Sequence, residues 1–88
     1  MNTAYMIIDV REPFEYQSDH VDGAINIPPM ELMSGAAALD NVDKDTEIIL
    51  YCKTGSRSNV AIQILKQQGF TNLTNGISAG HVRKKYSA

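Results

Sequence analysis

The only cysteine of this 88-residue sequence, Cys52, stands where several features of a reactive thiol meet. It follows the apolar run 47–51 and is followed by Gly55 and then by a helical pattern. A glycine lets the loop curl until its backbone N–H groups converge on one spot. The start of the next helix adds unpaired N–H groups and the positive end of its dipole. The spacing therefore predicts an anion cradle with a sulfur atom at its centre.

Such a cradle would change the acidity of the thiol. A free cysteine has a pKa of about 8.5, and only the thiolate is the nucleophile. A helix N-terminus contributes about 0.3 to 2 kcal/mol, which is up to about 1.5 pKa units, and amide hydrogen bonds to the thiolate add to this. We expect Cys52 to be largely ionised near pH 7, reachable from solvent and ringed by peptide donors. Lys53 and Arg57 add positive charge, and an arginine can hold an oxyanion with two parallel hydrogen bonds.

The alternative is a structural cysteine. A lone cysteine beside a buried strand is usually a small hydrophobic residue, and Lys-Thr-Gly-Ser is an ordinary surface turn. The combination of cysteine, glycine, arginine and an immediate helix favours the functional interpretation. A Walker phosphate loop is excluded, because Gly55 is followed by Ser56 and Arg57 and not by Gly-Lys-Ser/Thr.

The elements that would position this loop alternate between strand and helix patterns. Residues 47–51, with three consecutive aliphatic residues, are typical of a parallel strand covered on both faces. Met30 and Met33 are interpreted as core residues, and Gly69 as the left-handed end of a helix. We predict strands at 5–10, 24–27, 47–51 and 72–74, helices beginning at Pro13 and spanning 30–39, 58–68 (with Val60, Ala61, Ile64 and Leu65 on its apolar face) and 77–86, and a turn at Asn75-Gly76.

This alternation predicts an α/β fold for residues 1–88 as a single domain, with a small, mainly parallel central sheet and helices on both of its faces. Parallel sheets of this kind bind ligands beyond the carboxyl ends of their strands. Cys52 lies at that edge, directly after the most apolar strand.

Charge and composition exclude other classes. A net charge of -2 is unlike that of a nucleic-acid-binding protein, which needs clustered Lys and Arg. No apolar run approaches the roughly 20 residues of a membrane span, and residues 1–5 lack the pattern of a secretory signal. We therefore expect a cytoplasmic protein, or a periplasmic one if a signal peptide has been removed, without membrane or nucleic-acid partners. One cysteine and two isolated histidines predict no metal site, and we expect no cofactor.

Three segments together resemble the rhodanese-like single-domain sulfurtransferases, most of all their short, phage-shock type. They are 8–11 (IDVR) followed by Glu15-Tyr16, 20–28 (HVDGAINIP) and 51–58 (YCKTGSRS). The sequence departs from the family pattern at Asp19 and Asp22, where glycine and proline are common. Asn75-Gly76 stands where a glycine pair is usual, and there is no tryptophan. The strand and helix that often precede the first motif are reduced, so one flank of the sheet is expected to be exposed.

The resemblance implies a thiosulfate sulfurtransferase of the rhodanese-like fold. Cys52 would take the outer sulfur of a donor such as thiosulfate as a persulfide and pass it to a thiol or to cyanide, or to a protein acceptor. The resemblance also gives Asp9 and Arg11 a supporting role beneath the site, although a weak surface ion pair is the alternative. The implied substrate-binding residues are those of the loop: Lys53, Thr54, Gly55, Ser56 and Arg57.

Two other functions stay open. The same cradle could belong to a persulfide carrier or anion-binding module with little turnover. It also resembles the loop of small phosphatases and arsenate reductases, but those have five residues between cysteine and arginine, and here only four intervene.

Overall fold

Four parallel strands form the centre of the molecule. The structure, a computed structural model, describes residues 5–86. The strands are β1 (Tyr5–Asp9), β2 (Ile25–Asn26), β3 (Glu47–Cys52) and β4 (Leu73–Ser78), in the order β2-β1-β3-β4. Every strand pair is parallel, which confirms the predicted sheet. Residues 1–4, most of the segment searched for a secretory signal, lie outside the described residues.

The helices cover both faces of this sheet, as predicted. They are α1 (Pro13–Ser18), α2 (Pro29–Met33), α3 (Ser56–Gln67) and α4 (Ala79–Tyr86). α2 and α3 supply Leu32, Ala61 and Leu65 to the core on the face where Cys52 lies. α1 and α4 supply Tyr16 and Val82 to the smaller core on the other face. Within residues 5–86, no helix is long and apolar enough to cross a membrane.

The predicted helix over 30–39 was wrong in its length. α2 ends at Met33, and a short 3-10 turn, Ala37–Leu39, follows. The break lies at Gly35 and Ala36, which both have positive φ angles (110° and 53°) that no α-helix accommodates.

The predicted buried faces of α2 and α3 also need correction. Met30 and Met33 are 75% and 73% exposed, because the five-residue α2 buries Leu32 and turns both methionines outward. Val60 on α3 is exposed as well, and the buried side of that helix consists of Ser58, Ala61, Ile62 and Leu65. Ala61 and Leu65 of the predicted face are therefore buried, but Ile62 takes the place in the core that was expected for Val60.

The predicted turn at Asn75-Gly76 was wrong as well. Both residues lie inside β4, where the register with β3 shifts between Leu50 and Tyr51. Ile77, predicted to open the last helix, belongs to this bulge and has a φ of 73°. The bulge inserts an extra residue opposite β3 and turns β4 beside the loop that follows Cys52.

Candidate active site

Cys52 is the last residue of β3, and its loop occupies only Lys53, Thr54 and Gly55 before α3 begins. Gly55 is the N-cap residue of α3 and has a φ of 98°, a conformation that favours glycine. This sharp turn directs the first N–H groups of α3 back toward the end of β3. The predicted sequence of strand, cysteine, tight turn and helix is confirmed.

The sulfur atom lies in a set of converging donors. The backbone N–H of Gly55 donates to Cys52 Sγ over 3.1 Å, and the backbone N–H of Ser58 donates to it over 3.4 Å. The hydroxyl of Ser58 is 3.5 Å from the same atom. Direct N–H contacts to the sulfur thus come from Gly55 and from Ser58, which lies one position beyond the range 53–57 that the sequence indicated.

These contacts make the thiol more acidic than an ordinary cysteine. Burial disfavours the charged thiolate, but it is outweighed by hydrogen bonds from the Ser58 hydroxyl and from the amides of Ser58, Gly55 and Thr54, and the pKa of Cys52 falls to about 7. A substantial fraction of Cys52 is therefore thiolate at neutral pH.

The prediction that the Cys52 sulfur is reachable from solvent is wrong for this conformation. Cys52 is 1% exposed and contacts the aliphatic core of the α2–α3 face. It lies at the floor of the loop, because the same curled backbone that brings donors to the sulfur also covers it. In this conformation the loop and the start of α3 leave the Cys52 side chain almost closed to solvent.

Arg57 has a carboxylate partner that the sequence did not predict. Its two terminal nitrogens, Nη1 and Nη2, bind the two carboxylate oxygens of Glu15 over 2.7 and 3.1 Å. This bidentate contact with Arg57 lowers the pKa of Glu15 to about 2. Glu15 also accepts a hydrogen bond from the backbone N–H of Glu12, which fixes it at the start of α1. The sequence offered one indication of this pair: Glu15 and Arg57 carry opposite charges and lie in two of the three segments that resemble the family.

Asp9 and Arg11 form a largely buried ion pair and not a surface one. Asp9 is fully buried, and Arg11 binds it through Nε and Nη2, the latter 2.7 Å from Oδ2. The hydroxyl of Tyr51, the residue before Cys52, donates to the same Oδ2 over 2.8 Å and accepts from the backbone N–H of Val21. Burial raises the pKa of Tyr51 to about 12, so this donor stays protonated. The network fixes the end of β3 to the end of β1.

Two site residues were missed by sequence reasoning. Ser58 donates its N–H to the sulfur, and Asn75 on β4 accepts a hydrogen bond from the Ser58 hydroxyl over 2.7 Å. Ser58 could have been found by placing the helix start two residues earlier. The only indication for Asn75 in the sequence was that it stands where the family pattern usually has a glycine.

Lys53 and Thr54 are exposed at the surface of the loop. Ser56, also exposed, and Arg57 line a shallow pocket of about 270 Å³ together with Pro29 and Val60. A larger pocket of about 620 Å³ lies on the α1–α4 side and includes Tyr5, Ile7 and Val82, away from the face that holds Cys52. Among residues 5–86, no group of three or more His, Cys, Asp or Glu side chains is arranged to hold a metal ion.

Comparisons with known proteins agree with this architecture. The rhodanese-like domain family matches residues 1–81. Thiosulfate sulfurtransferase PspE of Escherichia coli is 43% identical over 68 residues, which are 77% of this chain and 64% of PspE. The putative sulfur carrier protein YrkF of Bacillus subtilis is 39% identical over 69 residues, 78% of this chain and 36% of YrkF. The chain thus spans less than two thirds of either relative.

A solved structure described as a rhodanese with anions from E. coli superimposes with a TM-score of 0.78 at 38% identity. The superposition covers 89% of this chain and 91% of that one. The family match extends over nearly the whole sequence, and the parallel sheet and helices agree with the solved rhodanese. This chain belongs to the rhodanese-like domain family.

Proposed function

We propose that this protein is a sulfurtransferase that carries sulfur on Cys52. The observation that supports it most directly is the contact of Cys52 Sγ with the N–H groups of Gly55 and Ser58, at 3.1 and 3.4 Å. A sulfur atom with donors aimed at it and a pKa of about 7 is a nucleophile at neutral pH. The names of the relatives, a thiosulfate sulfurtransferase and a rhodanese with anions, support the same chemistry.

Thiosulfate is the proposed donor. The Cys52 thiolate attacks the outer sulfur of thiosulfate. A new S–S bond forms between Cys52 and that sulfur, and the S–S bond of thiosulfate breaks. Sulfite leaves with the electron pair, and Cys52 holds a persulfide anion. Only four residues separate Cys52 from Arg57, and a loop this tight suits a single sulfur atom better than a phosphate with its tetrahedral oxygens.

In the second step an acceptor thiolate or cyanide attacks the outer persulfide sulfur. The new bond forms to the acceptor, and the electron pair of the broken S–S bond returns to Cys52 as thiolate. We propose that the amides around Cys52 hold the anion in both steps and that Lys53 and Arg57 attract the donor. Asp9 and Arg11 support the loop from beneath. No metal or cofactor is needed for this exchange, because both steps are displacements at sulfur.

The second candidate is a persulfide carrier that passes sulfur to a protein. Four exposed apolar residues lie on α1, α2 and α3, and one of them lines the pocket beside Arg57 and Ser56. Apolar surface beside a reactive group is suited to contact with another protein. The residues are Phe14, Met30, Met33 and Val60. The name of YrkF supports the same candidate.

For either function we propose that the protein works in the cytoplasm, since a lone thiol that must stay reduced fits a reducing compartment.

Intact mass after incubation with thiosulfate tests the proposal. The protein should gain the mass of one sulfur atom, which dithiothreitol then removes, and the matched variant Cys52→Ser should gain none. Loading of both proteins, or of neither, would contradict the proposal.

Turnover then separates the candidate functions. Rapid production of thiocyanate from cyanide indicates an enzyme, and stable loading without turnover indicates a carrier. Release of phosphate from an aryl phosphate by the native protein but not by Cys52→Ser would instead indicate a phosphatase.

A further inference from the structure

Asn75 reaches from the β4 bulge into the loop that holds Cys52. Its Nδ2 donates to the carbonyl oxygen of Gly55 over 3.0 Å. Its Oδ1 accepts from the backbone N–H of Ile77 over 2.9 Å and from the hydroxyl of Ser58 over 2.7 Å. A glycine, the usual residue here in the family, has no side chain to make these contacts. The amide of Asn75 therefore joins the β4 bulge to the loop through Gly55 and Ser58.

Ser58 has one hydroxyl proton and more than one acceptor for it. Asn75 Oδ1 is at 2.7 Å, the carbonyl oxygen of Gly55 at 3.1 Å and Cys52 Sγ at 3.5 Å. The shortest contact is with Asn75. When Cys52 is a neutral thiol, its S–H can donate to the Ser58 oxygen while Ser58 donates to Asn75, so that all three groups are satisfied.

Ionisation of Cys52 changes this balance. The thiolate has no proton to give and is a charged acceptor, which binds a hydroxyl proton more strongly than a neutral one does. For Ser58 to donate to the sulfur, the Ser58 proton must turn away from Asn75. Asn75 and the Cys52 thiolate therefore compete for one hydroxyl proton, and Ser58 can donate fully to only one of them.

We propose that Asn75 is a positioning residue that competes with Cys52 for the Ser58 proton and so restrains formation of the thiolate. The proposal rests on the proposed function, in which the Cys52 thiolate reacts. β4 carries no ionisable side chain between residues 73 and 78. The charged groups around the loop, which the substitutions below leave in place, are Lys53, Arg57 with its partner Glu15, and the buried pair Asp9 and Arg11.

The test is the thiol pKa of Asn75→Ala, measured by the ultraviolet absorbance of the thiolate. Because Cys52 is the only cysteine, the signal is specific, and Cys52→Ser supplies the baseline. Loss of one neutral hydrogen bond should lower the thiol pKa by about 0.4 to 1 unit. The pH profile of sulfur loading should move by the same amount. Asn75→Gly, with the residue usual in the family, is the second variant if Asn75→Ala does not fold.

A double-mutant cycle with Ser58→Ala separates positioning from loosening of the loop. Without the Ser58 hydroxyl, Asn75→Ala should leave the thiol pKa unchanged. A rise of the pKa in both backgrounds would show that Asn75 only stabilises the loop and would overturn the proposal, as would no change in either. This titration uses no sulfur donor, so failure of the proposed function would appear separately, as an absence of sulfur loading.

Discussion

At the scale of single residues, the acidity of Cys52 comes from the backbone more than from charged side chains. The groups that lower its pKa are the Ser58 hydroxyl and the amides of Ser58, Gly55 and Thr54. Arg57, which the sequence indicated as an anion-binding residue, is bound to Glu15 instead of being free. The positive charge near the loop is thus held in a fixed place by a second helix.

We predict that Arg57→Ala weakens the use of thiosulfate far more than it weakens the fold. Thiosulfate, the proposed donor, is an anion, and loss of the guanidinium should raise the KM for thiosulfate at least about 10-fold, the equivalent of one charge-assisted hydrogen bond. The Arg57–Glu15 pair is partly exposed, so its loss should lower the free energy of unfolding by less than about 1 kcal/mol. Steady-state kinetics and urea unfolding measure the two effects.

Glu15→Gln is the matched control, since it breaks the same ion pair but keeps the cation. It should lower stability as Arg57→Ala does and should retain the use of thiosulfate. Equal losses of donor use in both variants would mean that the ion pair, and not the Arg57 charge, is what the site needs. The low pKa of Glu15 means that the stabilisation from this pair is present above about pH 4 and is lost as the pH falls toward 2.

At the scale of elements, the β4 bulge joins α4 to the sheet. A Cβ atom at Gly76 would lie 2.6 Å from Val82 Cγ2 on α4 and 2.8 Å from Ile49 Cγ2 on β3. Val82 and Ile49 are both fully buried. Only glycine therefore allows α4 to pack this closely on β3, and the residue that looked like part of a turn is a packing position.

Gly76→Ala should lower the free energy of unfolding by about 1 to 3 kcal/mol, because an extra methyl group overpacks this core. Gly80→Ala on α4 is the control: nothing lies within 4 Å of a Cβ atom there, and alanine favours a helix. That variant should be as stable as the native protein or up to about 1 kcal/mol more stable. The stabilities of the two variants are measured by thermal and urea unfolding. If Gly76→Ala were as stable as Gly80→Ala, α4 would have to move aside easily.

At the scale of the whole molecule, ionisation of Cys52 is coupled to folding. The thiol has a pKa of about 7 in the folded protein and about 8.5 in an unfolded chain. A group whose pKa is lowered on folding stabilises the folded state above its unfolded pKa, and this contribution is lost as the pH falls through the folded value. The coupling should therefore appear between about pH 7 and pH 8.5.

We predict that the native protein gains about 2 kcal/mol of unfolding free energy, relative to Cys52→Ser, when the pH is raised from 6 to 9. The measurement is urea unfolding at several pH values under reducing conditions. Cys52→Ser corrects for all other titrating groups, because it keeps the size of the side chain and removes its ionisation. Parallel stability curves for the two proteins would mean that the folded thiol is not unusually acidic.

Much of the fold could be predicted because local patterns dominate it. The apolar run that became β3, the proline that opens α1 and the glycine that ends α3 each act through neighbours in the sequence. The faces of α2 and α3 were predicted less well. The five-residue α2 carries too few apolar residues to fix which side is buried, and α3 has apolar residues on more than one side between 60 and 65, so Met30 and Val60 were assigned to the core although both are exposed.

The sequence by itself determined the class of fold and the position of the cysteine between a buried strand and a helix start, because these depend on residue types a few positions apart. Only the tertiary structure decided what touches the sulfur and the loop. Glu15 and Asn75 lie 37 and 23 positions from Cys52 in the chain, and they reach the loop through side chains whose directions depend on how α1 and β4 pack. Burial of the sulfur was likewise decided by packing, since it depends on the path of the loop over the end of the sheet.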